Sequence, residues 1–386
     1  MKKMLKLSFT VLFVFLLSFS CAFAADSGIT VYLDGEALNL TTGAVIQDGR
    51  TLVPFRSIFE AIGLEVDWDP DTKTVSGSSE DTEMSLVIGS TTAVVNGEEK
   101  TLDVAATIID SSTMVPLRFI AESVGYTVDW IGTKQEVKIW SVDDEAYALY
   151  QKINEANADM TSAAMNMTAD IGMVMSQDGE TLAMDMKMSG DIKMIIASET
   201  DVQMEMNLKT TATAGGETES VDMAGYFKDG YMYMNSGGEK YKVAMNLEEA
   251  MAQASLIDTN DMDITASDIK GSKIETVTGG TKLTLVVKGS AMDDILTASL
   301  GAMEDLGLGE MTMTFGDVIM VTVVDENNII KSQSIVADVD ASYMGASMTM
   351  TMDMVMDMTA YGDAVKITFP TDLDKYEELS LEDAAV

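Results

Sequence analysis

The sequence predicts an α+β protein: a small duplicated domain of strands and short helices, followed by a large antiparallel sheet with helices on its apolar face. Two segments, 51–68 and 113–130, repeat each other. Residues 347–359 place methionine at every second position, from Met348 to Met358. That period of two is typical of a strand with one apolar and one polar face. Apolar stripes at helical spacing separate several strands of this kind.

Residues 1–24 have the pattern of a secretory signal peptide. Lys2, Lys3 and Lys6 precede an apolar run at 11–17, and the small-x-small sequence 22–24 follows. This pattern predicts cleavage after Ala24 and a secreted or extracytoplasmic cell-surface protein. The alternative is a lipoprotein anchored through Cys21, the single cysteine of the chain.

The composition argues against several classes of function. The formal net charge of −39 disfavours nucleic acid as a partner and disfavours docking on anionic lipid. Histidine is absent, so His-dependent triads and imidazole-ligated metal sites are excluded. Acidic pairs such as Asp143-Asp144 precede predicted helices, where carboxylates stabilise the helix dipole. We therefore predict no enzyme activity, no catalytic residue, no cofactor and no metal bound by such residues.

Residues 29–142 contain the duplication. Each copy is predicted to run strand, turn, strand, short helix, strand, turn, strand, with tight hairpins at Asp34-Gly35 and Asn96-Gly97. Each helix follows a proline and ends at a glycine, Gly63 or Gly125. The predicted buried stripes are Phe55, Ile58, Phe59 and Ile62 in the first copy, and Leu117, Ile120, Ala121 and Val124 in the second.

The Val-Pro-[Phe/Leu]-Arg helix starts, the glycine caps and the Val-Asp-Trp strands of both copies resemble the copper amine oxidase-like N-terminal (stalk) domain of secreted bacterial proteins. The resemblance implies a small sheet wrapped around a helix that acts as a surface or spacing module, with a possible cell-wall or surface partner. Copper catalysis belongs to a different domain, which needs histidine ligands, and is not implied here.

Two pairs of equivalent residues in the repeat have alternative interpretations. Arg56 and Arg118 could bind anions, but pairing with Glu60 and Glu122 four residues on is favoured. Trp68 and Trp130 could stack on sugars, but packing on the helix is favoured.

Residues 143–370 form a methionine-rich domain, since 29 of the 33 methionines follow residue 150. Ser141-x-x-Asp144 is predicted to cap a helix with the stripe Ala146, Leu149, Tyr150, Ile153, Ala156 and Met160. Long strands follow at 165–175, 182–194 and 202–208, and a hairpin with an Asp-Gly turn is predicted at 226–233. Further strands are predicted at 240–245, 311–315, 318–324, 332–339, 347–359 and 365–369. Helices are predicted at 247–257 and 291–306. The acidic tail, 371–386, is predicted to be loose.

The order of these elements, with the Tyr-Phe-Lys-Asp-Gly-Tyr-x-Tyr hairpin at 226–233, resembles the LolA/LppX class of bacterial lipoprotein and lipid carriers. That resemblance implies a half-open barrel with helices over its mouth that holds acyl chains. It transfers no binding residue.

The methionines have three interpretations: an ordinary core, an adaptable cavity for apolar ligands, or thioether ligands for a soft metal such as Cu(I). Metal binding would require clusters across strands, because alternate residues of one strand lie about 6.6 Å apart. The cavity interpretation predicts an apolar-ligand lining by Met184, Met186, Met188, Met204, Met206, Met350, Met352, Met354 and Met356.

We therefore expect a non-catalytic envelope protein whose half-barrel binds an acyl chain or another apolar ligand while the stalk module presents it at the surface. The alternative is a structural or adhesive envelope protein with no small ligand.

Overall fold

The computed structural model describes residues 29–131, 135–177, 180–198, 201–244, 264–292, 311–343 and 346–379. The chain divides into two compact units. One contains the described residues up to Asp144 together with Lys270–Lys273, and the other contains Glu145–Ile269 and the residues from Ile274 onward. The predicted signal peptide with Cys21 and the predicted helix 247–257 lie outside the described residues. So does the predicted helix 291–306, apart from two residues at its start.

The N-terminal unit has thirteen strands and two helices among its described residues. They are β1 Thr30–Leu33, β2 Glu36–Ala37, β3 Val45–Gln47, β4 Arg50–Pro54, α1 Phe55–Ala61, β5 Glu65–Asp69, β6 Thr74–Ser78, β7 Glu83–Val87, β8 Thr92–Val95, β9 Glu98–Thr101, β10 Thr107–Ile109, β11 Ser112–Pro116, α2 Leu117–Ser123, β12 Thr127–Ile131 and β13 Glu136–Trp140. Each helix is preceded by four strands, where two were predicted, and each is followed by the predicted pair of strands; β7 lies between the two repeats.

Each sheet of this unit combines strands from both repeats. The strand orders are β12-β13-β1-β2, β10-β11-β4-β3 and β5-β6-β7-β8-β9. In the first sheet, β1 of the first repeat pairs in parallel with β13 of the second. In the second sheet, β11 and β4 pair antiparallel. The repeats are therefore interlocked, and neither one completes a sheet alone.

The predicted turns and helix stripes of the repeats are confirmed. The hairpin residues Asp34 and Asn96 have positive φ angles of 49° and 53°, and Gly63 and Gly125 end the helices at φ 83° and 89°. These left-handed conformations carry little steric penalty for glycine and are tolerated by asparagine and aspartate. One shared core contains the buried stripes of both helices, with Phe55, Ile58, Phe59, Leu117, Ile120 and Ala121 at most 2% exposed.

Ser141 does not cap a helix, contrary to the prediction. Its backbone N–H and its Oγ donate to Asp34 Oδ1, at 2.8 and 3.0 Å. Its carbonyl accepts the N–H of Ser272 at 2.7 Å. The N-cap position of the following helix is Glu145 instead. A capping-box pattern was present in the sequence, but a partner more than a hundred residues away engages the hydroxyl.

The C-terminal unit begins with α3 Ala146–Asn157 and continues as strands. They are β14 Ser162–Gln177, β15 Glu180–Ser198, β16 Asp201–Ala214, β17 Glu217–Lys228, β18 Tyr231–Ser236, β19 Glu239–Ala244, β20 Ile269–Val277, β21 Gly280–Val287, β22 Met311–Phe315, β23 Val318–Val324, β24 Ile330–Tyr343, β25 Ala346–Tyr361 and β26 Glu377–Leu379. Short 3-10 turns occur at Ala266–Asp268, Gly289–Met292, Gly362–Ala364 and Leu373–Lys375.

These strands form one 13-stranded sheet in the order β20-β21-β23-β24-β25-β14-β15-β16-β17-β18-β19-β26, with β22 paired to β24. The pairings from β21 to β19 are antiparallel, and β26 joins β19 in parallel. Strand β25, on which the sequence prediction centred, lies between β24 and β14. The predicted fold class, a small duplicated domain followed by a large antiparallel half-barrel sheet, is confirmed.

Helix α3 packs on the apolar face of this sheet. Ala146, Tyr150 and Ile153 are buried in one cluster with side chains of β14, β21, β23, β24 and β25. Asn157, at the end of the helix, is 6% exposed and donates from Nδ2 to the Asn328 carbonyl at 2.9 Å. The helix ends at Asn157, so Met160 of the predicted stripe lies beyond it.

The structure corrects two further predictions near the C-terminus and adds two strands. Residues 365–369 are not a strand, and the tail is ordered as far as residue 379, since β26 pairs with β19. Strands β20 and β21 were missed; Gly279, at φ 77°, lies in the turn that separates them.

Candidate functional site

The register of the large sheet places the predicted methionines on one face. Met350 of β25 lies opposite Met173 of β14 and Val339 of β24. Met173 in turn lies opposite Met184 of β15. Side chains opposite one another on antiparallel strands point to the same side. Side chains along each strand alternate between the two sides of the sheet, so every second residue points to that same side. We call this side the thioether face.

The thioether face is apolar over its three central strands. On β14 it presents Met165, Met167, Ala169, Ile171, Met173 and Met175, opposite Met358, Met356, Met354, Met352, Met350 and Met348 of β25. On β15 the partners are Ile192, Gly190, Met188, Met186, Met184 and Leu182. No ionisable side chain occupies any of these eighteen positions.

The apolar face continues onto β16 and β17. Met206 lies opposite Ile192 on one side and Gly225 on the other, and Met204 lies opposite Met194 and Phe227. A Cβ atom at Gly225 would lie 2.3 Å from Met206 Cε, so the glycine provides the space that this methionine fills.

Part of the thioether face is packed as ordinary core beneath α3. Met167 is 5% exposed and Met354 and Met356 are each 9% exposed, all in the cluster with Tyr150 and Ile153. Met188 and Met352 pack at the margin of this cluster. Three of the side chains are therefore held in place by the helix.

The rest of the face lies outside that cluster, as far as the described residues define it. Met173, Met175, Met186, Met348 and Met350 are half-buried, and Met184 is 7% exposed. Of the nine predicted lining residues, the face therefore brings together Met184, Met186 and Met350 beyond α3. It places Met188, Met352, Met354 and Met356 at or under the helix, and Met204 and Met206 on β16.

The opposite side of the sheet is polar. On it Lys187 Nζ lies 2.9 Å from Asp170 Oδ1, and Asp170 lies directly opposite Asp353 of β25. Thr349 Oγ1 donates to Asp340 Oδ1 at 2.8 Å. Acidic side chains that contribute to the net charge of −39 therefore lie on the back of the strands that carry the methionines.

Sequence reasoning missed the C-terminal segment that crosses this polar side. Glu205 is only 8% exposed, and its oxygens accept hydrogen bonds from Lys193 Nζ and from the Thr368 N–H, both at 3.1 Å. The Lys228 ammonium lies 5.0 Å above the Phe369 ring. Tyr376 packs edge-on against Tyr233, with 5.5 Å between ring centroids. The alternation of lysine and tyrosine on β17–β19 was the available signal.

Ion pairs fasten the same segment. Lys240 Nζ donates to Asp372 Oδ2 at 2.7 Å, and this hydrogen bond raises the pKa of Lys240 and lowers the pKa of Asp372. Lys242 Nζ lies 3.1 Å from Glu378 Oε2, and that bond raises the pKa of Lys242. Burial raises the pKa of Tyr376.

A groove of about 770 Å³ runs along β15–β18. Its lining mixes polar-side residues such as Asn207, Lys209 and Asp222 with Leu208 and Met223 of the apolar side. None of the nine predicted methionines lines it.

Over the described ranges there is no cluster of three or more His, Cys, Asp and Glu side chains suited to a metal ion. Within those ranges, no helix combines the length and the apolar character needed to cross a membrane.

In the N-terminal unit, the favoured interpretation of the two arginines is confirmed. Arg56 pairs with Glu60 at 3.2 Å and Arg118 with Glu122 at 3.1 Å. Neither Trp68 nor Trp130 is among the side chains of the shared core, so their favoured packing on the helices stays a prediction. Each lies opposite a buried valine, Val75 or Val137, yet Trp68 is 37% exposed and Trp130 is 38% exposed.

Residues 32–139 match the family model of the copper amine oxidase N-terminal domain, as the resemblance of the repeats predicts. No curated protein matches the chain. Similar solved structures include LprF from Mycobacterium bovis, which is 14% identical with a TM-score of 0.34 and covers 60% of this chain and 99% of its own. They also include a putative outer membrane lipoprotein-sorting protein domain from Vibrio parahaemolyticus, 8% identical with a TM-score of 0.16, covering 58% of this chain and 94% of its own.

Proposed function

We propose that this chain is a non-catalytic envelope protein whose C-terminal unit binds an acyl chain, or a comparable apolar ligand, on the thioether face. The observation that carries the proposal is the extent of that face. It continues beyond the cluster under α3 as rows of half-buried methionine with no ionisable side chain among them.

The chemistry of methionine suits this role. The side chain is unbranched, has three rotatable bonds and is polarizable, so it adapts to ligands of varied shape. Each methylene of a ligand moved from water onto such a surface contributes about 0.8 kcal/mol. An acyl chain therefore gains affinity in proportion to the length that the rows can accommodate.

The second candidate function is a structural or adhesive role in which the methionines are ordinary core. Met167, Met354 and Met356 favour it, because α3 packs them at 5–9% exposure. The two candidates differ in what they require of the methionines beyond α3.

Secretion belongs to the same proposal, and it rests on the signal-peptide pattern of residues 1–24. The N-terminal unit would serve as the surface or spacing module that its family resemblance implies. Native mass spectrometry of the full chain after mild extraction, read for copurifying lipid mass, tests the ligand.

The first prediction concerns a charge placed on the thioether face. Met186→Glu should weaken the binding of a fluorescent fatty acid by the delipidated full chain at least tenfold, because the carboxylate must lose its water to admit the chain. That loss corresponds to about 1.4 kcal/mol.

The matched control is Val174→Glu. Val174 is 43% exposed on the polar side of β14, between Met173 and Met175, so this carboxylate stays in water and binding should change less than twofold. If the delipidated wild-type chain takes up no fatty acid at micromolar concentration, the structural role replaces the carrier role.

A further inference from the structure

The register creates thioether clusters across strands, which a sequence cannot reveal. Met173 and Met175 of β14 lie opposite Met350 and Met348 of β25, in that order. We call these four residues the distal quartet. Met184 lies opposite Met173 on the other side and adds a fifth thioether at its edge. From the distal quartet we propose a binding site for one soft monovalent metal ion, Cu(I) or Ag(I).

The spacing of the distal quartet suits one ion. Opposed Cβ atoms on antiparallel strands lie about 4.5–5.5 Å apart, and diagonal neighbours lie roughly 7–8 Å apart. A point above the centre of the four is thus about 4 Å from each Cβ in the plane of the sheet. Each sulfur is two bonds from its Cβ, and the flexible side chain can turn it toward that point.

The ligand chemistry selects the class of metal. Thioethers are soft neutral donors that suit Cu(I), whereas hard divalent cations such as Mg²⁺ and Ca²⁺ need oxygen ligands. No oxygen or nitrogen ligand lies on this part of the thioether face over the central strands. Four neutral sulfurs leave the charge of the ion unchanged, and the acidic back of the same strands, with Asp170 and Asp353 opposed, favours a cation electrostatically.

The same two strands carry a second set of four thioethers with the same register. Met165 and Met167 lie opposite Met358 and Met356; we call these four the core quartet. Met167 and Met356 are buried in the cluster of α3, and Met165 packs against it. Met358 is half-buried and outside that cluster, as all four residues of the distal quartet are, so the quartets differ in that two sulfurs of the core quartet are buried beneath α3 and none of the distal quartet is. The core quartet is therefore an internal control.

The test is an anaerobic competition titration of the full chain with Cu(I) against the chromophoric chelator bicinchoninate. The wild-type chain should bind one equivalent with a submicromolar Kd. The quadruple variant Met173→Leu, Met175→Leu, Met348→Leu and Met350→Leu should bind at least tenfold more weakly. The matched variant of the core quartet, with all four residues changed to leucine, should stay within twofold of wild type.

Three results would overturn the proposal: a wild-type chain that fails to compete, a distal variant that binds as tightly as wild type, or equal losses in the distal and core variants. Because a quadruple variant can fail to fold, the pair Met175→Leu and Met348→Leu is measured beside it. Ag(I) added to wild-type protein labelled with ¹³C at the methionine methyl groups gives a second readout. The methyl signals of the distal quartet should shift and those of the core quartet should not.

The titration is separable from the acyl-chain proposal. On the same wild-type chain, Cu(I) binding is read from the chelator and fatty-acid uptake from fluorescence, so either can fail while the other succeeds. Far-UV circular dichroism of the distal variant should match that of wild type, and a folded distal variant that keeps the wild-type Cu(I) affinity overturns the metal site.

Discussion

The core quartet and the distal quartet have the same residues, the same two strands and the same antiparallel register, yet their surroundings differ. In the core quartet, Met167 and Met356 are at most 9% exposed beneath Tyr150 and Ile153. In the distal quartet all four residues are half-buried and outside that cluster, a condition that in the core quartet applies to Met358 alone. The contrast teaches that the strand pattern alone does not decide what a methionine does. The element packed against it does.

The largest expected effect is on stability. Met167→Ala should lower the free energy of unfolding of the C-terminal unit by about 2–5 kcal/mol, because it leaves a cavity under α3. Met173→Ala, six residues along the same strand, should cost about 1 kcal/mol, since a half-exposed side chain loses less transfer free energy. Urea unfolding followed by far-UV circular dichroism measures both.

Tryptophan fluorescence supplies the control for this pair. Trp68, Trp130 and Trp140, the three tryptophans of the chain, all belong to the N-terminal unit. The fluorescence transition should therefore stay in place in both variants. Equal losses of stability for the two alanine variants would erase the distinction between the quartets.

The sequence predicted the thioether face because a period of two survives any choice of neighbouring strand. It could not predict that β25 pairs with β14, about 180 residues earlier in the chain, because register depends on which strands meet. The two quartets therefore became visible only with the pairing. The separation of residues under α3 from those beyond it was equally hidden, since Met354 and Met350 have the same pattern.

The errors have physical reasons of the same kind. Ser141 matched a helix cap, but Asp34 and Ser272 engage it through contacts distant in sequence. The tail after Thr371 is acidic enough to predict a loose end, but Lys240 and Lys242 neutralise Asp372 and Glu378 and allow β26 to form. In the N-terminal unit the repeated sequence motifs predicted the duplication. They could not predict that each sheet combines strands from both repeats.

A smaller effect is expected in oxidation. Exposed thioethers react with peroxide faster than buried ones, so brief treatment of the folded chain should form sulfoxide in the distal quartet several-fold faster than at Met167 and Met356. Peptide mass spectrometry measures the rates, and the same reaction in urea, where all methionines are accessible, should abolish the difference. Equal rates in the folded chain would show that α3 gives no protection.

The smallest expected effect is the dependence of hydrogen exchange on pH. It tests whether protonation of carboxylates loosens the strands that carry the two quartets. The pKa of Asp372 lies below its usual 3.8 because Lys240 donates a hydrogen bond to it. This contact contributes stability that is fully present above the usual pKa and is lost as the pH falls through the lowered one. The pKa of Lys240 is raised above 10.5, so the same contact is also lost as the pH rises through that raised value. Between these limits the C-terminal segment should stay fastened.

Hydrogen exchange, corrected for the intrinsic rate at each pH, measures the outcome. Between pH 7 and pH 3, exchange should rise more in the peptide covering 372–379 than in the peptide covering 346–361, whose Asp353 and Asp357 lie on the polar side while the thioether face of β25 carries no ionisable side chain. Asp372→Asn should raise exchange in 372–379 already at pH 7 and reduce its dependence on acid. If acid-induced exchange starts in 346–361 instead, the least stable part of the sheet lies at the quartets. The expected difference between a polar side that responds to pH and an apolar side that does not would then be wrong.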